Sequence, residues 1–223
     1  LFVGNDFGKK GLKTLVDALA TLDSKVQLLV IGRSERTSDY EQQATTLGVR
    51  SRVHFRGSLR DMSVAYSAAD MLVHPTLEDS YGMVVLEAMS YGLPVVVSDA
   101  PFSGIAKDLT QGLNAILLST PTDAIDLASK IQALLGDREK ATALATGGVN
   151  FATANSWTEA GRRYSTLFSG VTRRHRQRWL VLSHAFNMDG RAASLTITDK
   201  IPFFLDAGIK PTVFSAITGL KDD

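Results

Sequence analysis

The chain has 223 residues, 44% of them hydrophobic and 21% charged, with 24 basic side chains against 23 acidic ones. This is a globular composition with enough length for one large core, and the near-cancelling charge excludes a general attraction to nucleic acid. Without cysteine there is no disulfide framework and no thiolate metal site, and apolar runs such as "VQLLVIG" and "GLPVVVSD" fall far short of the roughly 20 residues that a membrane span takes.

In chain order, strand-sized apolar runs near 1–4, 26–32, 52–56, 70–74, 94–98 and 113–118 alternate with stretches of helical spacing: "GLKTLVDALATL", "YEQQATTLG", "DMSVAYSAA" and "GMVVLEAMSYG". Gly48 and Gly92 stand where the second and fourth of these helices should stop. Strands apolar on both faces, as "PVVVS" is, belong in a parallel sheet covered on each side, so the expected architecture is a doubly wound α/β sheet. From 121 onward the pattern is purely helical, with "DAIDLASKIQALLG", "DREKATALATGG" and "SWTEAGRRYSTLFSG" completing a first domain over 1–171. "TRRHRQR", 172–178, reads as a solvated basic linker, because no aromatic interleaving or further basic cluster supports a nucleic-acid patch. Residues 179–223 then restart as strand, loop with Gly190, helix ending at Gly208 and strand, too few to bury a core alone, and read as the opening of a second α/β domain. The chain starts at Leu1 inside an apolar run, without methionine, and is read as a piece of a longer protein.

The chemistry concentrates in "LEDSYGMVVLEAM", 77–89, which holds Glu78, Asp79 and Glu87. Met83, Val84, Val85, Leu86, Ala88 and Met89 project all round a helix, predicting that it is buried on most sides and that Glu87 needs a polar partner. That partner is either structural, the Tyr91 hydroxyl or a distant arginine, or a ligand. In an open parallel sheet, ligands bind where strand ends meet helix starts, and "MLVHPT" to "SYGMVV" is such a junction. The unpaired amides of Gly82, Met83 and Val84 suit a phosphate there, and Glu87, one turn deeper, suits the vicinal hydroxyls of a ribose. The plain alternatives are a helix N-cap for Asp79 and a solvated loop acid for Glu78.

"EDSYGMVVLEAMSYGLPVVVSD" resembles the E-x7-E signature of retaining glycosyltransferases of the GT-B fold (glycosyltransferase family 4, the "glycosyl transferases group 1" donor domain), in the branch that includes lipopolysaccharide core glucosyltransferases. The resemblance implies that Tyr81 and Gly82 are the signature's aromatic-glycine pair, that Glu87 binds ribose, and that Asp79, one methylene shorter than the usual glutamate, touches the donor sugar. "FVGNDFGKKGLKTLVDAL" is similar to the family's opening strand and glycine loop, which puts Gly4 and Asn5 beside the donor and gives Lys10 the diphosphate. Many relatives carry arginine where Asn5 stands, and Lys9 is the compensating base. "VIGRSER" and "VHFRGSLRDMSVAYSAADMLVHPT" also read like the family, with Arg33 and Arg60 in loops bordering the donor site or on plain surface.

The implied function is transfer of a hexose, with retention, from a nucleotide-diphosphate sugar, UDP-sugar favoured, to a glycan or glycolipid acceptor bound by an N-terminal domain outside this chain. No cofactor and no metal are expected. The implied setting is cell-envelope polysaccharide or lipopolysaccharide synthesis in the cytoplasm, with peripheral contact at the inner face of the cytoplasmic membrane. The tail, 179–223, resembles the start of a second N-terminal domain of this kind, which suggests a tandem protein. Two rival readings stand: a degenerate nucleotide-sugar-binding or scaffolding module, and another GT-B nucleotide-sugar enzyme such as an epimerase. Competing motifs fail on spacing. "GNDFGKKG" lacks the Walker spacing and its Ser/Thr, G-x-G-x-x-G and G-x-S-x-G are absent, and the four histidines form no i, i+4 pair.

Overall fold

The computed structural model describes residues 1–169, 178–183 and 200–215. Contacts group the chain into two compact units, Leu1–Thr153 and Ala154–Asp223.

The first unit alternates strand and helix in the predicted order: β1 (Phe2–Val3), α1 (Leu12–Leu19), β2 (Leu28–Ile31), α2 (Thr37–Thr46), β3 (Val53–Phe55), α3 (Ser63–Ala68), β4 (Leu72–His74), α4 (Met83–Ser90), β5 (Val95–Ser98), β6 (Ile116–Leu118), α5 (Ala124–Gly136) and α6 (Arg138–Ala154). Strands pair in parallel as β1-β2-β3 and β4-β5-β6. Two hydrogen bonds join these halves: the Leu1 amino group donates to Met71 O at 2.9 Å, and Val73 N–H donates to Leu1 O at 2.9 Å. The resulting order, β3-β2-β1-β4-β5-β6, reverses direction between β1 and β4, where an open α/β sheet has its ligand crevice.

Side-chain alternation explains why both faces are covered. Along β4 and β5, Val73 and Val96 enter the cluster that contains Leu12, Leu15, Leu127 and Ile131 of α1 and α5. Their neighbours Leu72, Val95 and Val97 enter the opposite cluster, with Tyr66 of α3 and Val85, Ala88 and Met89 of α4. A strand buried on two sides cannot show the apolar-polar alternation of a one-sided sheet, which is why "PVVVS" is uniformly apolar.

One helix differs from expectation. The sequence pattern of α6 breaks at Gly147–Gly148, yet the helix continues to Ala154. These glycines serve contact: a Cβ on Gly147 would lie 2.0 Å from Leu113 O, and one on Gly148 3.1 Å from Met89 Cγ.

The second unit holds α7 (Trp157–Ser169) and a parallel pair, β7 (Arg178–Ser183) and β8 (Lys210–Ser215), with α8 (Ile201–Asp206) preceding β8. The sequence reading closes its first domain at 171, whereas contacts place α7 in the second unit. Lys200 Nζ sits over the Trp157 ring, 4.2 Å from its centroid. Residues 172–177 of the basic stretch and the Gly190 loop lie outside the described residues. Among the described residues no helix is long and apolar enough to cross a membrane.

Candidate functional site

Two loops meet at the reversal between β1 and β4. The first, Gly4–Gly11, is anchored by Phe7, a core residue packed edge-on against Phe2 and Tyr40. Glycine is required twice here for close approach. A Cβ on Gly4 would lie 2.8 Å from Lys10 Cγ, so the lysine stem folds over the end of β1; one on Gly11, which also has φ +74°, would lie 1.9 Å from Pro75 O. The second loop runs from Pro75 to Gly82. Lys9 O accepts from Leu77 N–H at 2.7 Å and from the Thr76 hydroxyl at 3.1 Å, which stitches the loops together.

This stitching brings charged side chains together. Lys10 Nζ donates to Asp79 Oδ2 at 2.7 Å and to Glu78 O at 3.1 Å. Lys9 Nζ meets Glu78 Oε2 at 3.0 Å on the surface. His74, fully buried at the end of β4, places Nε2 3.0 Å from the same Asp79 Oδ2, while its Nδ1 is buried with no partner among the described residues. Tyr81 N–H donates to Asp79 Oδ1 at 3.3 Å. Burial pushes the Asp79 carboxyl toward the neutral form, but hydrogen bonds from His74 and Lys10, and the positive charge beside it, outweigh that and hold it well below the usual carboxylate range. His74 has no place in the sequence reading, because a histidine inside the apolar run "MLVHP" carries no spacing signal.

Asp79 is not the cap of α4. That cap is Gly82, at φ 97°, a left-handed conformation that favours glycine. Asp79 is instead fixed from the far side: Asp79 N–H donates to Phe102 O at 2.9 Å, Gly104 N–H donates to Asp79 O at 3.0 Å, and Ile105 N–H donates to Tyr81 O at 2.7 Å. The Tyr81 ring is half-buried against the second core cluster. The amides of Gly82, Met83 and Val84 have no acceptor among the described residues, so the start of α4 presents three donors and a positive dipole end.

Glu87 requires a correction. The helix is largely covered, with Val85, Ala88 and Met89 buried and Met83, Val84 and Leu86 half-buried, but Glu87 is not enclosed with them: it and Ser90 are exposed. Its partner is neither Tyr91 nor an arginine but Tyr66, whose hydroxyl donates to Glu87 Oε2 at 2.6 Å. Tyr91 instead stacks on the Tyr66 ring, with centroids 5.3 Å apart. The pairing of 66 with 87 joins α3 to α4, and no local spacing could signal it.

Asn5 and Arg33 lie on the rim. Asn5 Oδ1 accepts from Arg33 N–H at 3.2 Å, tying the loops after β1 and β2, and both residues are exposed. Arg60 is also exposed. Among the described residues no cluster of His, Asp or Glu has the arrangement of a metal site.

The model of the family described as glycosyl transferases group 1 matches residues 1–137. The chain belongs to this family. The lipopolysaccharide glucosyltransferase WaaG of Escherichia coli (strain K12) is 41% identical over 102 residues, 44% of this chain and 27% of that protein. A D-inositol 3-phosphate glycosyltransferase of Corynebacterium kroppenstedtii is 28% identical over 185 residues, 78% of this chain and 40% of that protein. The chain therefore spans well under half the length of these group 1 glycosyltransferases. Among solved structures, the Anabaena protein Alr3699/HepE in complex with UDP-glucose matches with a TM-score of 0.67 and 28% identity over 75% of this chain and 48% of that one. The crystal structure of WaaG matches with a TM-score of 0.62 and 31% identity over 68% of this chain and 42% of that one. The first unit is thus a Rossmann-like α/β domain of the GT-B type.

Proposed function

We propose that the chain is the donor-binding part of a glycosyltransferase that moves a hexose from a nucleotide-diphosphate sugar to an acceptor hydroxyl with retention of anomeric configuration. The observation that carries this reading is the docking of Lys10, at the sheet reversal, on Asp79, three residues ahead of the first of the three amides left free at the start of α4. A diphosphate carries two to three negative charges and one helix end supplies only about half a charge, so a lysine is the natural complement. Lys9 lies beside it, and Glu87, one turn beyond Met83, is left to hold the ribose. Asp79 is the residue toward the sugar. The complexes of Alr3699/HepE with UDP and with UDP-glucose support a uridine donor.

Catalysis in this reading is stabilisation of the leaving group. As the glycosidic bond breaks, negative charge grows on the diphosphate, and Lys10 with amides 82–84 holds it more tightly in the transition state than in the ground state. The reading uses neither a metal nor another cofactor. The acceptor, a glycan or glycolipid, and any group acting on its hydroxyl belong to a further domain. Similarity to the lipopolysaccharide glucosyltransferase WaaG supports a cell-envelope setting, with the enzyme in the cytoplasm at the inner membrane face. Residues 179–223 fit the start of a second such enzyme, and the parallel pair β7–β8 supports that assignment.

A second reading, a binding module without activity, is favoured by the Asp79 carboxylate: Lys10, His74 and the Tyr81 amide already share its two oxygens. Calorimetry of the 223-residue chain with UDP, GDP and ADP tests donor binding. We expect UDP to bind, and Lys10→Ala to weaken it by about ten- to a hundred-fold. Absence of binding by all three below millimolar concentration overturns the donor-site reading.

A further inference from the structure

We propose that Tyr66 is a positioning residue for nucleotide recognition: its hydroxyl holds one oxygen of Glu87 so that the other is preset to accept from ribose hydroxyls. This rests on the donor-site reading above and assigns a role to a residue outside the signature segment.

The two partners differ sharply in freedom. Tyr66 is only 2% exposed, its ring packed in the cluster formed by Val85, Ala88 and Met89 and covered by the stacked ring of Tyr91. Glu87 is exposed on the outer side of α4, where a glutamate would otherwise sample several rotamers. A charge-assisted O–H···O bond of 2.6 Å between them transfers the rigidity of the core to the carboxylate. It occupies Oε2 alone, and among the described residues no donor meets Oε1. Burial, then the bond to Glu87, pushes the Tyr66 phenol far above its ordinary range, which keeps it a donor at neutral pH. A carboxylate restrained this way meets a diol without first losing its own mobility, a direct gain in affinity.

The bland account is that Glu87 merely satisfies a buried phenol. The two accounts separate when UDP is compared with 2′,3′-dideoxy-UDP, which keeps the diphosphate and base but offers no diol. Binding of both ligands to the full chain is measured for wild type, Tyr66→Phe, Glu87→Ala and the double variant, with thermal melts alongside. We expect Tyr66→Phe to weaken UDP by about three- to ten-fold and leave the dideoxy ligand unchanged. Glu87→Ala weakens UDP at least as much, and the double variant is no weaker than Glu87→Ala alone. In the unaltered chain, the Tyr66 hydroxyl proton should give a downfield resonance that moves with UDP but not with the dideoxy ligand; this readout stands even if Tyr66→Phe melts early. If Tyr66→Phe binds UDP like wild type while Glu87→Ala does not, or weakens both ligands equally, positioning is refuted and the donor site survives. An indifferent resonance also refutes it. If Glu87→Ala itself leaves UDP affinity intact, the ribose assignment fails and the positioning role falls with it.

Discussion

At the scale of single residues, the Asp79 carboxylate is the most heavily engaged group in the site, with His74 and Lys10 on one oxygen and the Tyr81 amide on the other. Its carboxyl is held below its ordinary range, so the sign of its contribution is determined: stability is present above the unfolded value of about 3.9 and is lost as pH falls through that value toward the folded one. Urea denaturation of wild type and Asp79→Asn should therefore show a gap in stability at pH 7 that persists to about pH 5 and narrows below pH 4. A gap independent of pH would mean that the ion pair with Lys10 contributes nothing. Asp79 and Lys10 come forward through the resemblance of their two loops to family segments, and the structure brings their side chains together. The sequence could not supply His74, which stands in an apolar run without a spacing signal, or Tyr66, which reaches its carboxylate only through the packing of α3 on α4. Glu87 shows the same limit from the other side: an apolar helix in the sequence implies burial all round, but a helix lying on a sheet buries one stripe, and Glu87 falls outside it.

At the scale of elements, all six strands of the first unit lie where the apolar runs place them, and both Gly48 and Gly92 follow the helices they were expected to end. Period and length suffice because a strand buried on two faces must be short and apolar throughout. The extension of α6 escaped this reasoning. Paired glycines usually weaken a helix, and only packing reveals that Gly147 is there to admit the Leu113 carbonyl. A paired comparison tests this. Gly147→Ala should destabilise the first unit by more than about 2 kcal/mol, because backbone must move to admit the methyl group. Gly136→Ala, at the end of α5 where an added Cβ meets nothing within 4 Å, should be neutral or stabilising by up to about 1 kcal/mol. Equal effects at the two positions, read from denaturant midpoints, would remove the close-approach explanation.

At the scale of the whole molecule, a formal net charge of +1 gives no long-range pull on an anionic ligand, so recognition has to come from the local set at the sheet reversal. The chain also spans only 27% of WaaG and 40% of the Corynebacterium relative. On the proposed reading the acceptor side lies in a further domain, so the chain alone should bind UDP yet release no measurable glucose or glycoside from UDP-glucose, as a product assay would show; efficient transfer by the isolated chain would contradict that division of labour. The stitching of the two site loops has a mechanical corollary. Because one carbonyl, Lys9 O, receives both the Leu77 amide and the Thr76 hydroxyl, neither loop can part from the other without breaking the same small node. Deuterium uptake at the Leu77 amide is accordingly a clock for their joint opening, and a single backbone position reports the breathing of lysines and acids that lie almost seventy residues apart in the chain.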